Sequence, residues 1–199
     1  MKQTKKQTKN GLSQYRKKLA SARIKACYIR ANREVISKGL NWYQHAHVFC
    51  KEVAHNTGLN VDTVAMVVSA LSPAVSWELN KIQAEQMCNA FRDGLPLESV
   101  ITSTYENNRL KAWDILHGKK VITVKSPKTY AFYRNLMLNI DSVTIDRWIL
   151  RVMFNRPIKS LTALKYRQCE EIFKQAAIDL DLKPLQLQAI TWEQIRREA

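Results

Sequence analysis

One side chain in this sequence stands out as able to act on a substrate. Asp146 stands in the apolar stretch "SVTIDRWILRV" (142–152), among Val143, Ile145, Trp148, Ile149, Leu150 and Val152. A carboxylate partly withdrawn from water stabilises positive charge that builds up beside it, and low local dielectric strengthens the effect. For Asp146 the plainer alternative is a helix-start acid, favoured by the unpaired amides and positive dipole end of a first turn. On that reading Thr144 is the N-cap, the helix begins at Ser142 or Thr144, and Asp146 lies two residues inside it.

The elements that must hold these residues read as helices nearly throughout. Tyr15, Leu19, Ala22, Ala26, Ile29 and Ile36 recur at helical steps over 12–39, and Gly39 is expected to end that helix. Residues 41–56 repeat the pattern up to Gly58. "VDTVAMVVSALSP", apolar on most sides, predicts a central buried helix with Asp62 as N-cap and a stop at Pro73. Further helices are predicted at 76–94, briefly after Pro96, at 107–116, from Ser126 with Pro127 at its first position, at 160–180 and at 184–198. "KKVITV" (119–124) favours a strand but has no partner elsewhere, so it reads as a connector. The fold class is all-α, about nine helices with no internal repeat. Residues 1–11 are expected to form a disordered basic tail and 12–199 a single domain.

Charge narrows the partners. The chain carries +15, and residues 1–33 hold eleven Lys or Arg and no acid. Such a segment binds polyanions by counterion release, which favours DNA and makes Lys17 and Lys18 candidate contacts. A membrane partner is not expected, because the tail offers little apolar surface and no run reaches the ~18 residues of a span. "MKQTKKQTKN" is followed by no apolar segment, so a secretory leader is not expected and the chain reads as intracellular. Cys27, Cys50, Cys88 and Cys169 are scattered and read as free buried thiols. His45 and His47 are two apart on a helix and point to different sides, so neither a metal nor a cofactor is expected.

"IDRWILRV" resembles the "VDTHIFRV"-type signature of the helix-hairpin-helix DNA glycosylase superfamily, matching at Asp146, Ile149, Arg151 and Val152. Lys128-Thr129 take the place of the Lys-Thr that follows the family's hairpin glycines. "ALSPAVSWELNKIQA" (70–84) is similar to its "LSxQ…N" junction at Leu71, Ser72 and Asn80, so the likeness runs over about 60–199 in the same order. The departures are that "VKSPKT" replaces the glycine-bearing "GVGRKT", Pro73-Ala74 replaces the Gln, and no C-terminal four-cysteine cluster follows. These features make it similar to a divergent branch, of the short kind that phage genomes encode, acting in host cytoplasm.

The resemblance implies two helical lobes around a central cleft, one of about 60–140 and one formed by 12–59 and 141–199. It implies a monomeric enzyme acting on a flipped-out base in duplex or locally single-stranded DNA. Asp146 would stabilise an oxocarbenium-like transition state, and Lys128 would attack C1′ or hold a phosphate. Trp77 and Trp148 would give the base pocket its faces, with Tyr130 beside them, while Trp42, Trp113 and Trp192 are expected to pack. Asn80 and Ser72 would read a base edge or buttress a helix. Lys125, Ser126, Thr129, Arg147 and Arg151 would meet DNA. A base-modifying transferase of the hypermodified-thymine kind, or a DNA-binding module without activity, is the alternative on the same fold.

Overall fold

The computed structural model describes residues 11–158 and 161–199, so the expected tail lies, apart from Gly11, outside the described residues. The described residues form nine α-helices and a short 3-10 turn, with no strand. In chain order they are α1 (Gln14–Arg30), α2 (Arg33–Thr57), α3 (Val61–Leu71), α4 (Trp77–Arg92), α5 (Glu106–Leu116), α6 (Pro127–Leu136), α7 (Arg147–Phe154), α8 (Ala163–Ile178) and α9 (Pro184–Arg197). The 3-10 turn, Leu97–Ser99, precedes α5. "KKVITV" belongs to the connector between α5 and α6, as its lack of a strand partner predicts. No described helix is long and apolar enough to cross a membrane.

The largest departure from the sequence reading is at the first two helices. The single helix expected over 12–39 breaks at residues 31–32, where the Asn32 side chain accepts the Val35 amide at 2.9 Å and starts α2. Gly39 does not end a helix; it lies inside α2. A Cβ on Gly39 would lie 2.4 Å from Ile190 Cγ1 and 2.6 Å from the Ile190 backbone, so the missing side chain lets α9 cross against α2. Periodicity cannot separate a terminating glycine from one needed for close approach, because the reason lies about 150 residues away in the chain. Gly58, Gly94 and Gly118 do follow helices with positive φ, as C-terminal glycines should. A smaller difference concerns α3, where Asn60 rather than Asp62 caps the helix, and Asp62 accepts the Tyr133 hydroxyl at 2.5 Å.

Two cores hold the helices. The first gathers the second half of α2 (Ala46, Cys50, Val53, Ala54), most of α3, and buried faces of α4, α5 and α6. Seven of the eleven α3 residues are buried, which its all-round apolarity predicts. The second core gathers Ala20, Ile24 and Cys27 of α1 with Val143, Ile145, α7, α8 and Leu187 of α9. Helix α2 serves both sides. Its first half meets α9 through Val35 against Ile190 and Tyr43 against Leu185 and Ala189, while its second half joins the first core. A division at residue 60 therefore becomes a division within α2, near Ala46. The four cysteines are free and buried; burial pushes the Cys27 thiol up to about 11 and those of Cys50, Cys88 and Cys169 to about 12.

Candidate active site

The segment that carries Asp146 is pinned from both sides before α7 begins. From α6, the fully buried Asn135 donates to the carbonyls of Ser142 (2.7 Å) and Asn139 (3.3 Å), and accepts the Thr144 hydroxyl at 2.9 Å. From α8, the Tyr166 hydroxyl accepts the Ile145 amide at 3.1 Å and donates to the Val143 carbonyl at 3.4 Å. Val143 and Ile145 are buried in the second core. A backbone tied at Ser142, Val143, Thr144 and Ile145 leaves Asp146 little freedom to wander.

Asp146 is itself the N-cap of α7, not a first-turn residue behind a Thr144 cap. Its Oδ1 accepts the amides of Trp148 and Ile149, each at 2.9 Å, so it satisfies two of the helix's otherwise unpaired donors. The expected cap failed because the Thr144 hydroxyl is committed to Asn135. The second carboxylate oxygen, Oδ2, accepts the Trp192 indole N–H of α9 at 3.0 Å. Burial pushes the Asp146 carboxyl above the ordinary aspartate range, against the opposing pull of these donors and of the Lys128 charge.

Around Asp146 lies a cavity of about 570 Å³. Its walls come from Trp42 and Tyr43 of α2, the 72–76 loop with Trp77 and Asn80, Lys128 and Phe132 of α6, Thr144 and Asp146–Trp148, and Gln188, Ala189, Trp192 and Arg196 of α9, with Tyr105 added. The cavity thus sits on the seam between the two cores. Its aromatic side chains form a run: Trp77 to Trp42 at 4.9 Å between centroids, then Trp42 to Trp192 at 5.9 Å. Arg196 covers the Trp192 ring at 4.3 Å, and Arg147 covers Trp148 at 5.3 Å. Aromatic faces, one carboxylate and several cations suit a flat, polar ring attached to an anionic chain. The loop is shaped by Ala74, whose φ of 66° is left-handed, and by the Thr104 hydroxyl, which donates to the Pro73 carbonyl at 2.9 Å. A non-glycine residue there costs about 1–2 kcal/mol, so the surrounding contacts hold this loop in one shape.

Of the residues singled out in the sequence, the structure brings Asp146, Lys128, Trp77, Trp148, Ser72, Asn80 and Arg147 to this cavity. Asn80 resolves toward buttressing: it donates to the Val68 carbonyl at 3.2 Å, tying α4 to α3, and its Oδ1 is sealed without a partner. Ser72 donates to the Ser69 carbonyl at 3.0 Å at the end of α3. Tyr130 is not at the cavity; it packs on the first core, 6.1 Å from Tyr133. Lys125, Ser126 and Thr129 lie at the start of α6 outside the cavity lining. The Ser126 hydroxyl makes no capping bond, and the Thr129 carbonyl receives the Ser69 hydroxyl at 2.6 Å. Arg151 is exposed on α7, one turn from Arg147, and Lys17 and Lys18 are on α1, away from the cavity.

Trp113 packs as expected, against Phe91 and His117. Trp42 and Trp192 do not merely pack; they line the cavity, and Trp192 bonds Asp146. Also missed were Tyr43, which donates to Gln188 at 2.7 Å, and Arg196. One signal was there to read: Gln188, Trp192 and Arg196 recur at four-residue steps and so share one face of α9. His47 bonds the Leu136 carbonyl at 2.8 Å, and among the described residues no group of three or more His, Cys, Asp or Glu could hold a metal.

Residues 2–199 match the family of unknown function DUF7178, and the chain belongs to that family. No curated protein and no solved structure matches it.

Proposed function

We propose that this protein is a DNA-directed enzyme that breaks the N-glycosidic bond of a base turned out into the cavity, in the manner of the helix-hairpin-helix glycosylases its signature resembles. The observation that carries this reading is Asp146: a carboxylate held at a helix N-terminus, inside a cavity walled by Trp42, Trp77, Trp148 and Trp192. The aromatic faces would stack the base, and Lys128, Arg147 and Arg196 would receive the flanking phosphates. As the C1′–N bond breaks, its electron pair leaves with the base and positive charge builds on the sugar. Asp146 stabilises that charge, water adds to C1′, and the water's proton is released.

The test is mass spectrometry of bases released from modified and unmodified DNAs by wild type and Asp146→Asn. Asn keeps the shape and the cap while losing the charge, and gives up the Trp192 hydrogen bond because its NH2 cannot accept an N–H. The expected loss is about 100–1000-fold, the size seen when one electrostatic stabiliser is removed. Equal release by the two proteins, or none from any DNA, overturns the assignment.

A second reading is favoured by the hydrogen bonds of Asp146. Its oxygens already take three donors, which suits a carboxylate serving as a structural peg in a base-binding module without activity. On that reading wild type and Asp146→Asn both bind DNA and neither releases base.

A further inference from the structure

The molecule has a second concave surface, and α7 connects it to the first. A groove of about 610 Å³ lies between α1, the C-terminal end of α7, residues 156–158 and the start of α8. Its apolar lining includes Leu19, Met153, Phe154 and Ile158, and four cations border it: Arg16, Arg23, Arg156 and Lys165. Among the described residues no acid lines it, and none of these four cations is in an ion pair. Tyr15, 74% exposed, stands at its edge with an unused aromatic face.

Helix α7 is eight residues long, about 12 Å at 1.5 Å per residue, with Asp146 at one end and the groove at the other. Arg147, Arg151 and Phe154 fall at i, i+4 and i+7, so they form one stripe along it. Arg147 borders the cavity and Phe154 borders the groove. The stripe is therefore a basic track that runs from one concavity to the other.

We propose that this groove binds the DNA strand that continues from the base held in the cavity, with phosphates on the four cations and a base stacked on Tyr15. This rests on the reading of the cavity as a base pocket. Charge complementarity commits the groove to a polyanion, and the track on α7 makes that polyanion the same strand. Single strands are held in this way, by cations that follow the backbone and aromatic side chains that take bases in any sequence. The groove also reassigns the basic character of α1. Arg16 and Arg23, seven residues apart, face it, whereas Lys17 is turned about 100° from Arg16 around the helix and does not line the groove.

The test uses the full chain and fluorescein-labelled (dT)3 and (dT)12, with affinity measured by anisotropy over a range of salt. Wild type binds (dT)12 the more tightly. Arg16→Glu combined with Arg156→Glu lowers (dT)12 affinity at least tenfold, makes the salt dependence shallower by more than one unit of slope, and leaves (dT)3 unchanged. Tyr15→Ala lowers (dT)12 affinity about fivefold or more, as loss of one stacked base should. Lys51→Glu, the charge change of each single groove substitution placed on an exposed α2 residue in neither concavity, leaves both affinities as they were. Unchanged (dT)12 binding by the double variant overturns the proposal alone if wild type still releases base. An equal loss from Lys51→Glu also overturns it, as does a groove variant that loses a glutamate-rich peptide and keeps (dT)12. Failure of wild type to bind either oligonucleotide also overturns it, while base release from duplex DNA decides the base-pocket reading separately.

Discussion

The two cores are built on different terms. The first is nearly continuous in sequence, from Ala46 to Leu136, around an α3 that is buried on almost every side. The ion pairs on its helices are local: Glu78 with Lys81, Arg92 with Asp93, Glu106 with Arg109, Asp114 with Lys120. The second core joins α1 to α7, α8 and α9, more than a hundred residues away; beside the local pairs Glu34–Lys38 on α2 and Glu171–Lys174 on α8, three pairs around it span that distance. Lys25 meets Asp179, Arg30 meets Glu198, and Glu34 meets Arg197. All three are partly exposed, so solvent screening leaves them little share in holding the chain ends together. The distant chain ends are held instead by apolar burial, by the Gly39 crossing and by directional polar pegs. Because the cavity lies where the two cores meet, its shape depends on those pegs more than on either core.

The comparison breaks most easily at Asn135, which bonds the segment leading to Asp146 from a fully buried position. Asn135→Ala strands the Thr144 hydroxyl and two carbonyls. It should cost about 3 kcal/mol, more than Val67→Ala within the contiguous core, when both are measured by urea denaturation. A loss under about 1 kcal/mol for Asn135→Ala would show the seam to be held by packing alone. Gly39→Ala comes next. Alanine favours a helix interior by about 1 kcal/mol, but overpacking against the Ile190 backbone costs about 1–3 kcal/mol. The net expectation is a lower thermal midpoint, and a raised midpoint would mean that α2 and α9 have room to spare.

The smallest effect is the pH dependence of Asp146. Its carboxyl is raised by burial, so the folded state holds that proton more tightly than the unfolded chain does. Stability from this group is therefore fully present below the ordinary carboxylate range and is lost as pH rises through the raised value. The stability of wild type relative to Asp146→Asn should fall over that window as pH increases, with the other carboxylates cancelling in the difference. A flat difference would mean that Asp146 is not withdrawn from water and that the seam is open to solvent at this point.

Helix type and count were legible because each helix buries a face whose period is written locally, and most ends carry their own caps or glycines. Ser13, Asn32, Asn60, Ser76 and Thr162 each accept a backbone amide at a helix start, and Pro127 and Pro184 each open one. Asp146 stood out as an acid among apolar neighbours, whereas Lys128 was reached only through the likeness to the glycosylase signature. Trp192 was not. An aromatic at helical spacing reads as core, and only the fold brings its N–H to within 3.0 Å of a carboxylate 46 residues earlier.

By itself, then, the sequence determined an all-helical chain, a basic first segment, a buried central α3 and an acid out of place in "SVTIDRWILRV". Tertiary structure alone decided that Gly39 is a crossing point, that Thr144 gives up its cap to Asn135, and that α9 supplies a wall of the cavity. The physical reason is range. Periodicity, capping and charge act within a few residues, whereas a seam between two cores is set by side chains that meet only after the chain has folded.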